Sequence, residues 1–112
     1  MSFPTITVYG NSENVQSLRL LDKGEPVNLS SVTRVLLELD DRTEVDSDIS
    51  PSLFDWINPG TLGVVWFFLG RKFWSTKIYY AKVIVYDDLN YEGIFWGYLR
   101  IRAIENTVPV GQ

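Results

Sequence analysis

The sequence predicts an all-β protein built as an antiparallel β-sandwich. In most of the chain apolar residues alternate with polar ones, which is typical of strands that bury one face. The apolar runs are short, and clusters of Gly, Pro, Asn and Asp separate them. At 112 residues the chain has the size of a single domain. We expect the sandwich to span residues 1–105, followed by a mobile tail at 106–112.

Strand signals run through the first half of the chain. The predicted strands lie at 5–9, 15–22, 27–29 and 32–40. In the last of these, Val35, Leu37 and Leu39 share one face and polar residues share the other. A helix is the alternative for this segment, since Leu, Arg and Glu are good helix formers and Asn28 or Ser30 could cap it. Its Val and Thr content favours the strand.

The second half adds an acidic hairpin turn and longer apolar strands. The predicted strands lie at 43–45, 54–57, 61–70, 78–87 and 94–103. The segment "TLGVVWFFLG" at 61–70 is apolar at both parities, which predicts a central strand covered on both faces. About seven strands without a helix indicate a single immunoglobulin-like antiparallel β-sandwich.

The last two predicted strands form a hairpin that is rich in aromatic rings. Pairing residue 86 with 94 sets 84 opposite 96, 82 opposite 98 and 80 opposite 100. Odd positions, including Phe95 and Leu99, then face the core, and even positions face outward. The outward rings and cations predict a protein interface, because such side chains bury large areas at low entropic cost. The candidate interface residues are Tyr80, Ile84, Tyr86, Trp96, Tyr98 and Arg100, together with Trp66. The alternative is a solvated cluster of rings and cations.

Composition argues against most catalytic and cofactor chemistry. The chain has no Cys and no His, which removes thiolate nucleophiles, imidazole bases and Cys or His metal sites. We therefore expect no enzyme activity, no cofactor and no metal, and we expect the carboxylates between residues 38 and 55 to be solvated rather than to bind Ca²⁺. The net charge of −4 disfavours nucleic acid as a partner. Without a signal peptide or a long apolar run, we expect neither export by that route nor a membrane partner.

Two stretches of the sequence resemble phage structural proteins. "SLRLLDKGEPVNLSSVTRVLLELDD" is similar to the N-terminal immunoglobulin-like domain of phage upper baseplate proteins, in which a "G-x-P-V-D-L" turn leads into a strand. "IYYAKVIVYDDLNYEGIFWGYLRI" resembles the closing part of such proteins, with its "V-Y-D" strand end and its "G-I-x-W-G" element. This chain has "VNL" where the family has "VDL", and it stops where baseplate proteins continue.

The resemblance implies a structural protein of a tailed-phage virion, in the tail, baseplate or fibre-attachment region. It would be made in the host cytoplasm and would bind other virion proteins and further copies of itself. A head or neck accessory protein is a close variant. A carbohydrate-binding module for host adhesion and a phage protein that binds one host target are the other hypotheses. A sugar binder would expose two or three roughly coplanar rings, whereas an assembly protein would cover them.

Overall fold

The computed structural model describes residues 4–10, 15–56, 63–71 and 75–104. This part of the chain is all-β, as predicted, with 3₁₀ turns at Pro51–Leu53 and Leu69–Arg71. Its strands are β1 (Thr5–Tyr9), β2 (Gln16–Arg19), β3 (Leu21–Asp22), β4 (Glu25–Pro26), β5 (Val32–Leu39), β6 (Glu44–Asp46), β7 (Phe54–Asp55), β8 (Val64–Phe67), β9 (Lys77–Asp87) and β10 (Ile94–Ile104). Within these residues no helix is long and apolar enough to span a bilayer.

The larger sheet has five strands in the order β1-β10-β9-β5-β6. All neighbours are antiparallel except β1 and β10, which run parallel, with Thr5 beside Arg100 and Tyr9 beside Ile104. The long hairpin of β9 and β10 therefore lies in the middle of this sheet. Alternation explains β9, since every second residue from Tyr79 to Val85 is buried.

A second sheet has three strands in the order β2-β8-β7, and β3 and β4 form a separate two-stranded hairpin. In β8, Val65 and Phe67 are buried, and the Phe67 ring meets Phe54 edge to face at 5.7 Å between centroids. The three-stranded sheet and the five-stranded sheet both contribute side chains to one hydrophobic cluster. Its largest fully buried side chains are Phe67, Leu29, Leu37, Leu69, Leu99, Ile101, Val8, Val35 and Val65.

Several predicted strand boundaries differ from the structure. The predicted strand at 27–29 is a loop, in which Leu29 is buried in the core. The predicted strand at 15–22 is divided into two strands at Leu20. Leu20 leaves the ladder because its N–H donates to the Gly63 carbonyl and its own carbonyl accepts from Val27. Part of the predicted strand at 61–70 lies outside the described residues, at 61–62, and β8 confirms the strand over 64–67. The outward Trp66 is 37% exposed, so the prediction that both faces are covered is wrong. The predicted tail at 106–112 lies outside the described residues.

The β9–β10 hairpin follows the predicted register at one end and departs from it at the other. Lys82 pairs with Tyr98 and Tyr80 with Arg100, as predicted. Nearer the loop, Ile84 pairs with Phe95 rather than with Trp96, because a β-bulge shifts the register between Phe95 and Gly97. A bulge places two residues of one strand opposite a single residue of its partner. The residues before the bulge therefore point to the opposite side of the sheet from the one that uninterrupted alternation would give them. The predicted pairs 84–96 and 86–94 are therefore wrong.

Gly97 is the residue that permits this bulge. Its φ of 137° lies in a region that L side chains rarely adopt, and a Cβ there would meet no atom within 4 Å. The requirement for glycine is therefore one of backbone conformation rather than of space.

Candidate protein interface

The side of the five-stranded sheet that faces away from the core is here called the outer face. Its side chains are those that alternate with the buried residues of β5, β6, β9 and β10. They include Arg34, Leu36, Glu38, Glu44, Asp46, Ile78, Tyr80, Lys82, Ile84, Tyr86, Phe95, Tyr98, Arg100 and Arg102.

An apolar row crosses the middle of the outer face. Phe95, Ile84 and Leu36 are successive cross-strand partners on β10, β9 and β5. Leu36 is only 4% exposed although it lies outside the core cluster, so neighbouring outer-face side chains cover it. The row therefore provides a partly covered hydrophobic centre on the side of the sheet that faces away from the core cluster.

Gly93 lies against the same row where the β9–β10 loop enters β10. A Cβ on Gly93 would stand 2.6 Å from Ile84 Cγ2 and 2.8 Å from Tyr86 Cε2, closer than side chains allow. The loop backbone can thus lie directly on these two side chains, which explains why both are half-buried rather than exposed.

One end of the outer face is organised by Arg34. Its guanidinium donates to both carboxylate oxygens of Asp46, with Nε 2.9 Å from Oδ1, and its Cζ lies 4.6 Å from the centroid of the Tyr86 ring. The hydrogen bond from Arg34 lowers the pKa of the Asp46 carboxyl, against the opposing effect of burial, and Asp46 in turn raises the pKa of Arg34. The Asp48 N–H donates to the same Oδ1 at 2.9 Å.

The burial of Asp46 corrects the expectation that this acidic segment is solvated. Asp46 and Ser47 are both buried, and the Ser47 hydroxyl accepts a hydrogen bond from the Val35 N–H at 2.9 Å. Asp46 lies directly opposite Leu36 in the ladder, and Arg34 is two residues before Leu36 on the same side of β5. A carboxylate can be buried there because a bidentate guanidinium compensates its loss of hydration.

The other end of the outer face carries exposed rings next to cations. Tyr80 is 39% exposed and Tyr98 is 42% exposed, and the Arg100 guanidinium carbon lies 5.7 Å from the centroid of the Tyr80 ring. The Nε atom of Arg100 is covered and has no hydrogen-bond acceptor in the described part of the chain. The rings of Phe95 and Tyr98 meet edge to face, with centroids 5.3 Å apart and planes at 73°.

Phe95 is the residue that the sequence analysis misplaced. It was predicted to face the core, but it is 54% exposed on the outer face because the bulge reverses its direction. The signal that could have revealed this was Gly97, since a glycine inside a strand pattern often marks a bulge.

Five of the seven predicted interface residues share the outer face, and two do not. Tyr80, Ile84, Tyr86, Tyr98 and Arg100 lie together there. Trp96 sits at the bulge and packs against the core cluster, so its predicted outward direction is wrong. Trp66 lies on the outside of the three-stranded sheet, opposite Ser17 and Asp55, and so faces away from the other candidates across the core.

Trp96 also lines an apolar groove between the two sheets. The groove has a volume of about 630 Å³, and Leu18, Leu20 and Val83 contribute to its wall. The indole Nε1 of Trp96 is covered and has no acceptor among the described residues. The described residues also contain no group of three or more His, Cys, Asp or Glu side chains that could hold a metal ion.

The comparisons with protein-family models, with curated proteins and with solved structures found no significant match to this chain.

Proposed function

We propose that this protein is a non-enzymatic structural component of a tailed-phage virion and that it binds its partners through the outer face. The observation that carries the proposal is the group of exposed rings on the β9–β10 hairpin, Tyr80, Phe95 and Tyr98, beside Arg100. Aromatic and arginine side chains on a preorganised surface are the usual centres of protein–protein binding energy. The resemblance of two stretches to phage baseplate proteins supports the virion as the location.

The fold that we propose is an immunoglobulin-like sandwich. In that fold one sheet contains strands C, F and G, extended by C′ in variable-type domains, and the other contains B, E and D. The observed order β6-β5-β9-β10 corresponds to C′-C-F-G, and β2-β8-β7 corresponds to B-E-D. The assignment makes β9 strand F and β10 strand G.

Tyr79 supports this assignment. Immunoglobulin-like domains often have a tyrosine near the start of strand F whose hydroxyl bonds to backbone a few residues upstream. Here Tyr79 lies at the third position of β9, and its hydroxyl donates to the Ser75 carbonyl at 3.5 Å. Ala81, fully buried, occupies the position two residues later where antibody domains have a disulfide cysteine.

The geometry of the rings favours a protein partner over a sugar. A sugar-binding platform uses coplanar exposed rings, whereas Phe95 and Tyr98 are inclined at 73°. Edge-to-face rings present an uneven surface that another protein's side chains can fill. Carbohydrate binding remains the alternative that the experiment below separates.

The test is incorporation into virions of the phage whose genome carries this sequence. We expect mass spectrometry of purified virions to detect the protein, and a Phe95→Ser/Tyr98→Ser double variant to be lost from the particles while remaining folded. Trp66→Ser is the matched control, because Trp66 is similarly exposed but lies on the other sheet. Absence of the wild-type protein from virions, or equal incorporation of both variants, would contradict the proposal. Binding of the isolated protein to host glycans that the double variant abolishes would favour the sugar-binding alternative.

A further inference from the structure

We propose that a second copy of this chain covers the outer face, in a two-fold dimer whose axis runs parallel to the strands between β9 and β5. This inference rests on the proposed function, since it names a partner for the same surface. The inference is based on the distribution of charged side chains across the outer face of the five-stranded sheet. The strand register gives the position of each of these side chains.

Charge changes sign from one edge of the outer face to the other. The outward positions of β10 carry Arg100 and Arg102 and no carboxylate, and β9 carries Lys82. On β5 and β6, Arg34 and Asp46 neutralise each other, which leaves Glu38 and Glu44. The turn before β6 adds two further carboxylates and one arginine, at residues 40–42. The face is therefore cationic at β10 and acidic at β6.

One row of the sheet contains the transition. Tyr98, Lys82, Glu38 and Glu44 are successive cross-strand neighbours on β10, β9, β5 and β6. These side chains, with Tyr80, line a shallow groove of about 510 Å³. The groove lies beside the apolar row of Phe95, Ile84 and Leu36.

Such a gradient is complementary to itself under only one kind of two-fold rotation. An axis parallel to the strands, placed between β9 and β5, sets Lys82 over the partner's Glu38 and β10 over the partner's β6. An axis in the same plane but perpendicular to the strands would set β10 over β10 and bring arginines together. Like charges brought together repel and suppress that arrangement, so the first one is selected. In an isologous interface each favourable contact occurs twice.

The size of the outer face suits a dimer. With the axis between β9 and β5, the strands that lie opposite a counterpart are β10, β9, β5 and β6, which contain 11, 11, 8 and 3 residues. At about 3.3 Å per residue and about 4.8 Å between strands they cover roughly 500 Å² per copy, or about 1,000 Å² in total, which is the lower bound for a specific interface. Exposed rings and an apolar row at the centre, with charges towards both edges, match the usual hydrophobic core and polar rim.

The test is a charge swap between two copies, followed by sedimentation velocity. We expect the wild type to dimerise and either Lys82→Glu or Glu38→Lys to weaken the dimer about tenfold or more, because each single variant juxtaposes like charges twice. An equimolar mixture of the two variants should regain the dimer, since opposite charges then face each other at both contacts. Lys23→Glu is the control, because Lys23 is exposed in the turn between β3 and β4, outside the five-stranded sheet, and it should leave the dimer unchanged.

Rescue in the mixture cannot arise within one chain, although Lys82 and Glu38 are neighbours in the same sheet. Circular dichroism of each variant checks that it is folded. If the charge-reversal variants unfold, the milder Lys82→Gln and Glu38→Gln variants replace them, and each should reduce the salt dependence of dimerisation. A wild type that stays monomeric at its highest soluble concentration would overturn the proposal, as would a mixture no tighter than its components. A monomer that is still found in virions would refute the second copy and leave the proposed function standing.

Discussion

The pairing of Arg34 with Asp46 shows how a charged residue comes to be buried on an open sheet. The carboxylate accepts two hydrogen bonds from the guanidinium and one from the Asp48 N–H, and the guanidinium lies against the Tyr86 ring. These contacts replace the water that burial removes from Asp46. The guanidinium lies against the Tyr86 ring and Asp46 lies opposite Leu36 in the ladder, so this ion pair borders the apolar centre of the outer face.

The pH dependence of stability should reveal this pair. The pKa of Asp46 is lowered in the folded state, so its contribution to stability is fully present above its unfolded value of about 3.9 and is lost as pH falls through the lower folded value. We expect Asp46→Asn to reduce the free energy of unfolding by about 1–3 kcal/mol at pH 7. The difference from wild type should shrink below about pH 4, as measured by urea denaturation across pH.

Asp48→Asn provides the control for this prediction. Asp48 is largely exposed and its carboxylate lies 3.7 Å from Arg34 Nε without a hydrogen bond, so the change should be under about 1 kcal/mol. Other carboxyls with lowered pKa, Asp41 and Asp87, are common to both variants and cancel in the comparison. An Asp46→Asn variant with the same pH profile as Asp48→Asn would show that the buried pair contributes nothing.

The bulge at Trp96 divides strand β10 into two parts, and the odd-numbered side chains point to opposite sides of the sheet in the two parts. From Tyr98 onward its odd residues enter the core, whereas Phe95, before the bulge, points outward. The inserted Trp96 packs against the core instead of the outer face. A single extra residue therefore exchanges the roles of two neighbouring rings.

The two tryptophans should respond differently to truncation. We expect Trp96→Ala to reduce the free energy of unfolding by about 2 kcal/mol or more, since it removes packing against the core. Trp66→Ala, on the exposed side of β8, should cost less than about 1 kcal/mol. Urea denaturation of both variants decides the matter, and equal losses would show that Trp96 does not pack inward.

The whole molecule depends on one core that both larger sheets share. Side chains from β8 and β7 pack with those of β5, β9 and β10 in a single cluster. Neither the three-stranded nor the five-stranded sheet buries its inner face without the other. We therefore expect the two sheets to unfold as one cooperative unit.

Truncation of a core ring in the smaller sheet tests this cooperativity. Phe67→Ala should destabilise the protein by about 3–5 kcal/mol, because Phe67 is fully buried. Hydrogen exchange should then accelerate in β9 by the same factor as in β8, although β9 contains no substitution. Leu21→Ala, in the exposed β3–β4 hairpin, should leave exchange in β9 unchanged. Retained protection in β9 of the Phe67 variant would show that the sheets unfold independently.

Alternation along the chain was sufficient to predict the all-β class and much of the larger sheet. The inward positions of β5 and β9, from Val35 to Leu39 and from Tyr79 to Val85, follow from period-two patterning alone, because a strand points successive side chains to opposite sides. The same rule predicted that Tyr80, Tyr98 and Arg100 share the outer face. Each of these is a local property of one strand or one hairpin.

Tertiary structure alone decided the direction of Phe95 and Trp96, the burial of Asp46 and the separation of Trp66 from the other rings. Gly97 permits a bulge, but neither it nor periodicity determines which residue of the ladder is the extra one, so pairing with β9 decides the direction of Phe95 and Trp96. Asp46 is polar in sequence but is buried because Arg34, twelve residues earlier, is brought beside it by the β5–β6 pairing. Trp66 and Tyr80 are both aromatic residues in apolar strand segments of the sequence, yet they belong to different sheets. Contacts between residues distant in sequence determine such features, and those contacts exist only once the sheets have assembled.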